Sequence, residues 1–115
     1  MDNPVIDKDG TKRWYNANSE YHRTDGPAIE DTYGARSWYQ HGKKHRDDGP
    51  AIEYANGDKA WYQHGKVHRT DGPAVEDANG ENYWYLNDKR LSFDEWLHTV
   101  NMSDEEKVMM KLQYG

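Results

Sequence analysis

Apolar and aromatic positions recur along this chain at a fixed interval. Trp-Tyr begins at Trp14, Trp38, Trp61 and Trp84, and His-Arg-x-Asp-Gly-Pro-Ala occupies 22–28, 45–51 and 68–74, each copy 23 residues after the last. Self-similarity at such a period marks stacked supersecondary units, none able to bury its apolar face alone. Within a unit, period-two alternation predicts strands at 58–63, 66–69 and 74–77. His64-Gly65 makes a two-residue turn with Gly at positive φ, 70–73 forms a loop ended by Pro, and Ala78-Asn79-Gly80 turns the chain into the next Trp-Tyr strand. The result is a meander of antiparallel hairpins. The first unit is irregular, because 16–21 lacks the glycine found at Gly42 and Gly65.

Alternation places Trp61 and Tyr62 on opposite faces of one strand. Trp38, Trp61 and Trp84 then line the covered side, and Tyr39, Tyr62 and Tyr85 form a ladder on the other. A narrow curved sheet does not bury both faces, so one aromatic row is a candidate contact surface.

After Tyr85 the period changes. Ser92-Phe-Asp-Glu95 and Ser103-Asp-Glu-Glu106 are capping-box patterns. Phe93, Trp96, Leu97 and Val100 give the first helix an apolar face, and Val108, Met109 and Leu112 give one to the second. Two short helices are expected to close the array and cover its last sheet edge. The chain therefore divides into a repeat array over 1–91 and a helical cap over 92–115. Its fold class is mostly β, an elongated antiparallel hairpin-repeat sheet with two short C-terminal capping helices.

Composition alters this picture in two ways. A mean hydropathy of -1.32 would by itself indicate disorder. Five Trp and nine Tyr in register reverse that, since each ring buries roughly 150–250 Å². The net charge is -6, with acids and bases interleaved. There is no basic face for phosphates or anionic lipid, so neither nucleic acid nor membrane is an expected partner. The absence of cysteine fits the cytoplasm, and the N-terminal sequence carries no targeting pattern.

Candidate chemistry is thin. His22/Asp25, His45/Asp48 and His68/Asp71 are the residue types that bind metal or relay protons, but their threefold recurrence favours a structural role. In that role His packs on or donates to a neighbouring unit, and Asp accepts backbone N–H groups of the Gly-Pro turn. Arg23, Arg46 and Arg69 form a row that pairs with Glu30, Glu53 and Glu76 or with the motif Asp. Alternatively, the Arg and Tyr rows make a groove for a planar anion. His41 and His64 are expected to be solvated. No nucleophile elbow or P-loop is present, and neither a cofactor nor a metal site is assigned.

Trp38-Tyr39 followed by Gly42-Lys43-Lys44-His45, and Trp61-Tyr62 followed by Gly65-Lys66-Val67-His68, resemble membrane occupation and recognition nexus (MORN) repeats in the variant form of bacterial and phage proteins. The resemblance covers residues 4 to 91. Arg46 and Arg69 depart from it, standing where the usual repeat has Gly. It implies a scaffold or binding module, and the acidic chain with a helical tail looks like accessory proteins of tailed bacteriophages, some of which block host defence or host enzymes. The leading expectation is a non-enzymatic, phage-encoded inhibitor of a host protein in the host cytoplasm. Tyr39, Tyr62 and Tyr85 would serve as anchors and Arg46 and Arg69 as polar contacts. The alternatives are a sponge for an anionic signalling nucleotide and a metal-dependent hydrolase on His45/Asp48 and His68/Asp71. An exposed edge near Val5 leaves a homodimer open.

Overall fold

A computed structural model of the chain describes residues 3–115; the first two residues of the array assigned to 1–91 lie outside the described residues. The elements in order are β1 (Val5–Ile6), β2 (Lys12–Arg13), β3 (Ile29–Glu30), β4 (Arg36–Ser37), β5 (Tyr39–Gln40), β6 (Lys43–Lys44), β7 (Ile52–Glu53) and β8 (Lys59–Ala60). They continue with β9 (Tyr62–Gln63), β10 (Lys66–Val67), β11 (Val75–Glu76), β12 (Asn82–Leu86), β13 (Lys89–Leu91), α1 (Phe93–Thr99) and α2 (Asp104–Tyr114). All strand pairs are antiparallel. Nine strands form one sheet in the order β1-β2-β3-β4-β7-β8-β11-β12-β13, and β5-β6 and β9-β10 stand beside it as separate hairpins. The molecule measures 48 × 29 × 21 Å.

The expected strand over 58–63 is split at Trp61. Its backbone N–H donates to the Ala74 carbonyl on the sheet side, at 2.7 Å, while its carbonyl accepts from the His68 N–H on the hairpin side, at 3.0 Å. Facing two different neighbours, Trp61 is the point where the chain leaves the sheet and enters the hairpin. Trp38 repeats the arrangement with Ala51 and His45. The alanines at these crossings, Ala28, Ala51 and Ala74, are 0% exposed, which explains a small residue after each Gly-Pro. Successive hairpins are joined by Gly42 N–H to the Tyr21 carbonyl, Gly65 N–H to Lys44 and Asp88 N–H to Val67, at 2.8–2.9 Å. The array is therefore two linked ladders with a row of tryptophans at the bend.

Register explains how so polar a sheet holds together. Lys12, Glu30, Arg36, Glu53, Lys59 and Glu76 are consecutive cross-strand partners, so charge alternates along the sheet. Opposite charges facing each other across a strand pair each contribute roughly 0.2–1 kcal/mol. The adjacent column carries Ile29, Ile52 and Val75, all half-buried.

The compact apolar core lies at the C-terminal end, where Trp84, Trp96, Leu97, Val100 and Met110 are buried, with Leu86, Leu91 and Phe93 packed against them. Trp84 and Leu86 share a face of β12, and Leu91 pairs with Trp84 across the hairpin. The helices thus cover a face of the last hairpin. Both predicted capping boxes form, Ser92 with Glu95 and Ser103 with Glu106. On α2 the expected face is reversed: Val108, Met109 and Leu112 are 56%, 64% and 77% exposed, while Met110 is buried and Tyr114 sets its ring 5.0 Å from that of Trp84.

Candidate functional site

One side of the bend is built by the Arg-x-Asp-Gly-Pro loops. The guanidinium carbons of Arg23, Arg46 and Arg69 each lie 3.8 Å from the ring centre of Trp14, Trp38 and Trp61. Each Nε donates to the motif Asp, at 2.8–3.1 Å, and each NH1 to the following Pro carbonyl, at 2.9–3.1 Å. Glu53 and Glu76 complete the pairing of Arg46 and Arg69, at 3.3 and 3.1 Å. The planar fork of Arg suits this role, stacking on an aromatic face while filling several acceptors in its own plane. Gly72 leaves room for this stack: a Cβ there would stand 2.6 Å from the Arg69 guanidinium carbon and the guanidinium would have to move. Arg46 and Arg69, expected to contact a partner, thus have their guanidinium groups engaged within the fold. The motif aspartates accept from these guanidinium groups, the pairing expected for the Arg row, rather than from the backbone N–H groups also expected.

The motif histidines link one unit to the next by packing, as expected, and by accepting rather than donating a hydrogen bond. Nδ1 of His22, His45 and His68 accepts the backbone N–H of His41, His64 and Asn87, at 2.9–3.0 Å. An accepting Nδ1 leaves the proton of neutral imidazole on Nε2, and in His45 that nitrogen meets the Asp47 carboxylate at 2.9 Å. The turn residues held this way have positive φ, 51° at His41 and His64 and 49° at Asn87, as two-residue hairpin turns demand. His41 and His64 are exposed, as expected of turn residues, and their rings also pack 4.6 and 4.4 Å from those of His22 and His45. Among the described residues no group of three His, Asp or Glu converges to hold a metal ion.

On the hairpins, the tyrosines form a column. The Tyr15, Tyr21 and Tyr39 ring centres follow one another at 5.1 Å. Beyond them Tyr39 faces Lys44, Tyr62 faces Val67 and Tyr85 faces Arg90 across their strands. The Lys44 ammonium lies 5.2 Å from the Tyr62 ring centre. Tyr39, Tyr62 and Tyr85 are all half-buried. Partial burial, and then neighbouring phenols, push the Tyr39 hydroxyl above its ordinary value; burial followed by Tyr54 does the same for Tyr62.

Two open grooves, about 930 and 640 Å³, run between successive Arg-x-Asp-Gly-Pro loops. Trp38, Gln40 and His45 line the first, and Trp61, Gln63 and His68 the second, with no tyrosine in either. Neither of these grooves brings the Arg and Tyr rows together. Among the described residues no helix is long and apolar enough to cross a membrane. No protein-family model matches the chain, and no curated protein or solved structure matches it either.

Proposed function

We propose that this chain is a non-enzymatic protein-binding module that engages its partner through the column of Tyr39, Tyr62 and Tyr85. The observation that carries the reading is the recurrence itself: half-buried aromatic rings at the same place on successive hairpins, which are tied to one another by backbone hydrogen bonds. Tyrosine offers large contact area with few rotatable bonds, and a rigid mount lowers the ordering cost of binding. The repeated His, Asp and Arg side chains, which could otherwise do acid–base or anion chemistry, hold the array together. On the MORN-like reading of the repeats, the partner is a protein of a bacterial host that is bound and inhibited.

The test is capture from bacterial lysate on immobilised chain, comparing wild type with Tyr39→Ala/Tyr62→Ala/Tyr85→Ala after circular dichroism has shown the variant folded. One protein held near stoichiometrically by wild type and lost by the variant is the expected result. Retention of that protein by the folded variant would move the binding surface elsewhere.

A further inference from the structure

The outward face of α2 is apolar where a solvated helix is ordinarily polar. Val108, Met109 and Leu112 are more than half exposed, and the helix is fastened to the core by other residues, Met110 and Tyr114. Three large apolar side chains exposed together over about one turn of helix form a docking stripe.

We propose that this stripe packs against the same stripe of a second copy, with the two α2 helices antiparallel. The charges beside the stripe select that occupant and that direction. Asp104 and Lys111 stand seven residues apart, two turns along nearly the same side, and Glu105 lies next to Asp104. In an antiparallel pair, Lys111 of each copy comes beside Asp104 and Glu105 of the other, giving two equivalent sets of opposite charges. A parallel pair would set like charge against like. Val108 lies near the middle of this segment and therefore close to the two-fold axis, and the flexible Met109 adapts to its counterpart.

The contact is smaller than the ~800 Å² per partner of a standard stable interface. The expected dissociation constant accordingly falls between about 10 µM and about 1 mM. This inference stands apart from the tyrosine reading. If both hold, one particle presents two tyrosine columns and gains avidity toward a partner with repeated sites.

Sedimentation equilibrium of the full chain, from about 10 µM to about 1 mM, tests it directly. Wild type should show a monomer–dimer equilibrium. Leu112→Lys, at a site too exposed to harm the fold, should weaken it at least about tenfold. Lys111→Glu should weaken it as well, and mixing that variant with Asp104→Lys/Glu105→Lys should restore a mixed dimer. Because the natural chain has no cysteine, Val108→Cys should form a disulfide-linked dimer on oxidation, whereas Tyr33→Cys, 79% exposed on the array, should not. A wild-type monomer throughout the range, or a dimer that survives Leu112→Lys, would overturn the proposal.

Discussion

Trp61 and Trp84 occupy the same place in successive repeats and are covered in opposite ways. Over Trp61 lies the Arg69 guanidinium, held by Asp71, Glu76 and the Pro73 carbonyl. In the fourth unit Leu91 and Ser92 stand where His and Arg are expected, and Trp84 is instead surrounded by Trp96 at 4.5 Å, Phe93 at 4.8 Å and Tyr114 at 5.0 Å. The cap supplies the missing hydrogen bond too. Gln40 and Gln63 donate to the Arg23 and Arg46 carbonyls; Leu86 stands in the next position and has no such donor, so the Trp96 indole N–H donates to the Arg69 carbonyl at 2.9 Å. The array can thus be extended with polar covers that tolerate water, but its end is closed with an apolar cluster.

The strongest way to break this comparison is Trp96→Ala. It removes the cover of Trp84 and leaves the Arg69 carbonyl without its donor, so unfolding by denaturant should show a loss of about 3–5 kcal/mol, with the near-ultraviolet dichroism of the aromatic cluster abolished. An intermediate effect is expected from Gly72→Ala, whose new methyl group must displace the Arg69 guanidinium from Trp61. A destabilisation of about 1–3 kcal/mol is expected by the same measurement, against a much smaller one for Gly72→Ala/Arg69→Ala relative to Arg69→Ala. Smaller again is Ser92→Ala, at about 1 kcal/mol, because it removes one helix cap and leaves every Trp covered.

Acid and alkali should separate the two regions more gently. Hydrogen bonds from Ser92 and Ser103 hold the Glu95 and Glu106 carboxyls below their ordinary 4.5, so their support is present above that value and is lost as pH falls through the lowered values. Tyr39 and Tyr62 are raised above 10.0, so their contribution is complete below pH 10 and is lost as pH climbs through the raised values. Helical dichroism should decline first in acid and the tyrosine column should loosen in alkali. In Tyr39→Phe/Tyr62→Phe the alkaline loss should shrink while the acid loss stays unchanged.

The repeat period, the hairpins and both capping boxes are legible in the sequence because they are local: a Gly-containing turn or a Ser-x-x-Glu pattern acts within a few residues. The cover of Trp61 is not legible, since it depends on Asp71 and Gly72 folding Arg69 back over a ring eight positions earlier. The orientation of α2 is not legible for a related reason. Val108, Met109 and Leu112 make one apolar face and Met110 and Tyr114 another, and periodicity alone cannot say which meets Trp84. The charge ladder could have been found, because Glu30, Glu53 and Glu76 recur at the repeat interval along with Lys12, Arg36 and Lys59. The recurrence of Tyr39, Tyr62 and Tyr85 on hairpin strands follows from alternation and the repeat period, whereas the stacking of Arg46 and Arg69 on Trp38 and Trp61 does not.

On the proposed function, the tyrosine side binds while the Arg-x-Asp-Gly-Pro side builds. The most direct test is calorimetric titration of the captured partner with Tyr62→Ala and with Asp48→Asn, a substitution on an exposed carboxylate of the loop side. Tyr62→Ala should weaken binding by about thirtyfold or more, and Asp48→Asn should leave it within about threefold. Unchanged affinity for a folded Tyr62→Ala, with a large loss for Asp48→Asn, would contradict this reading.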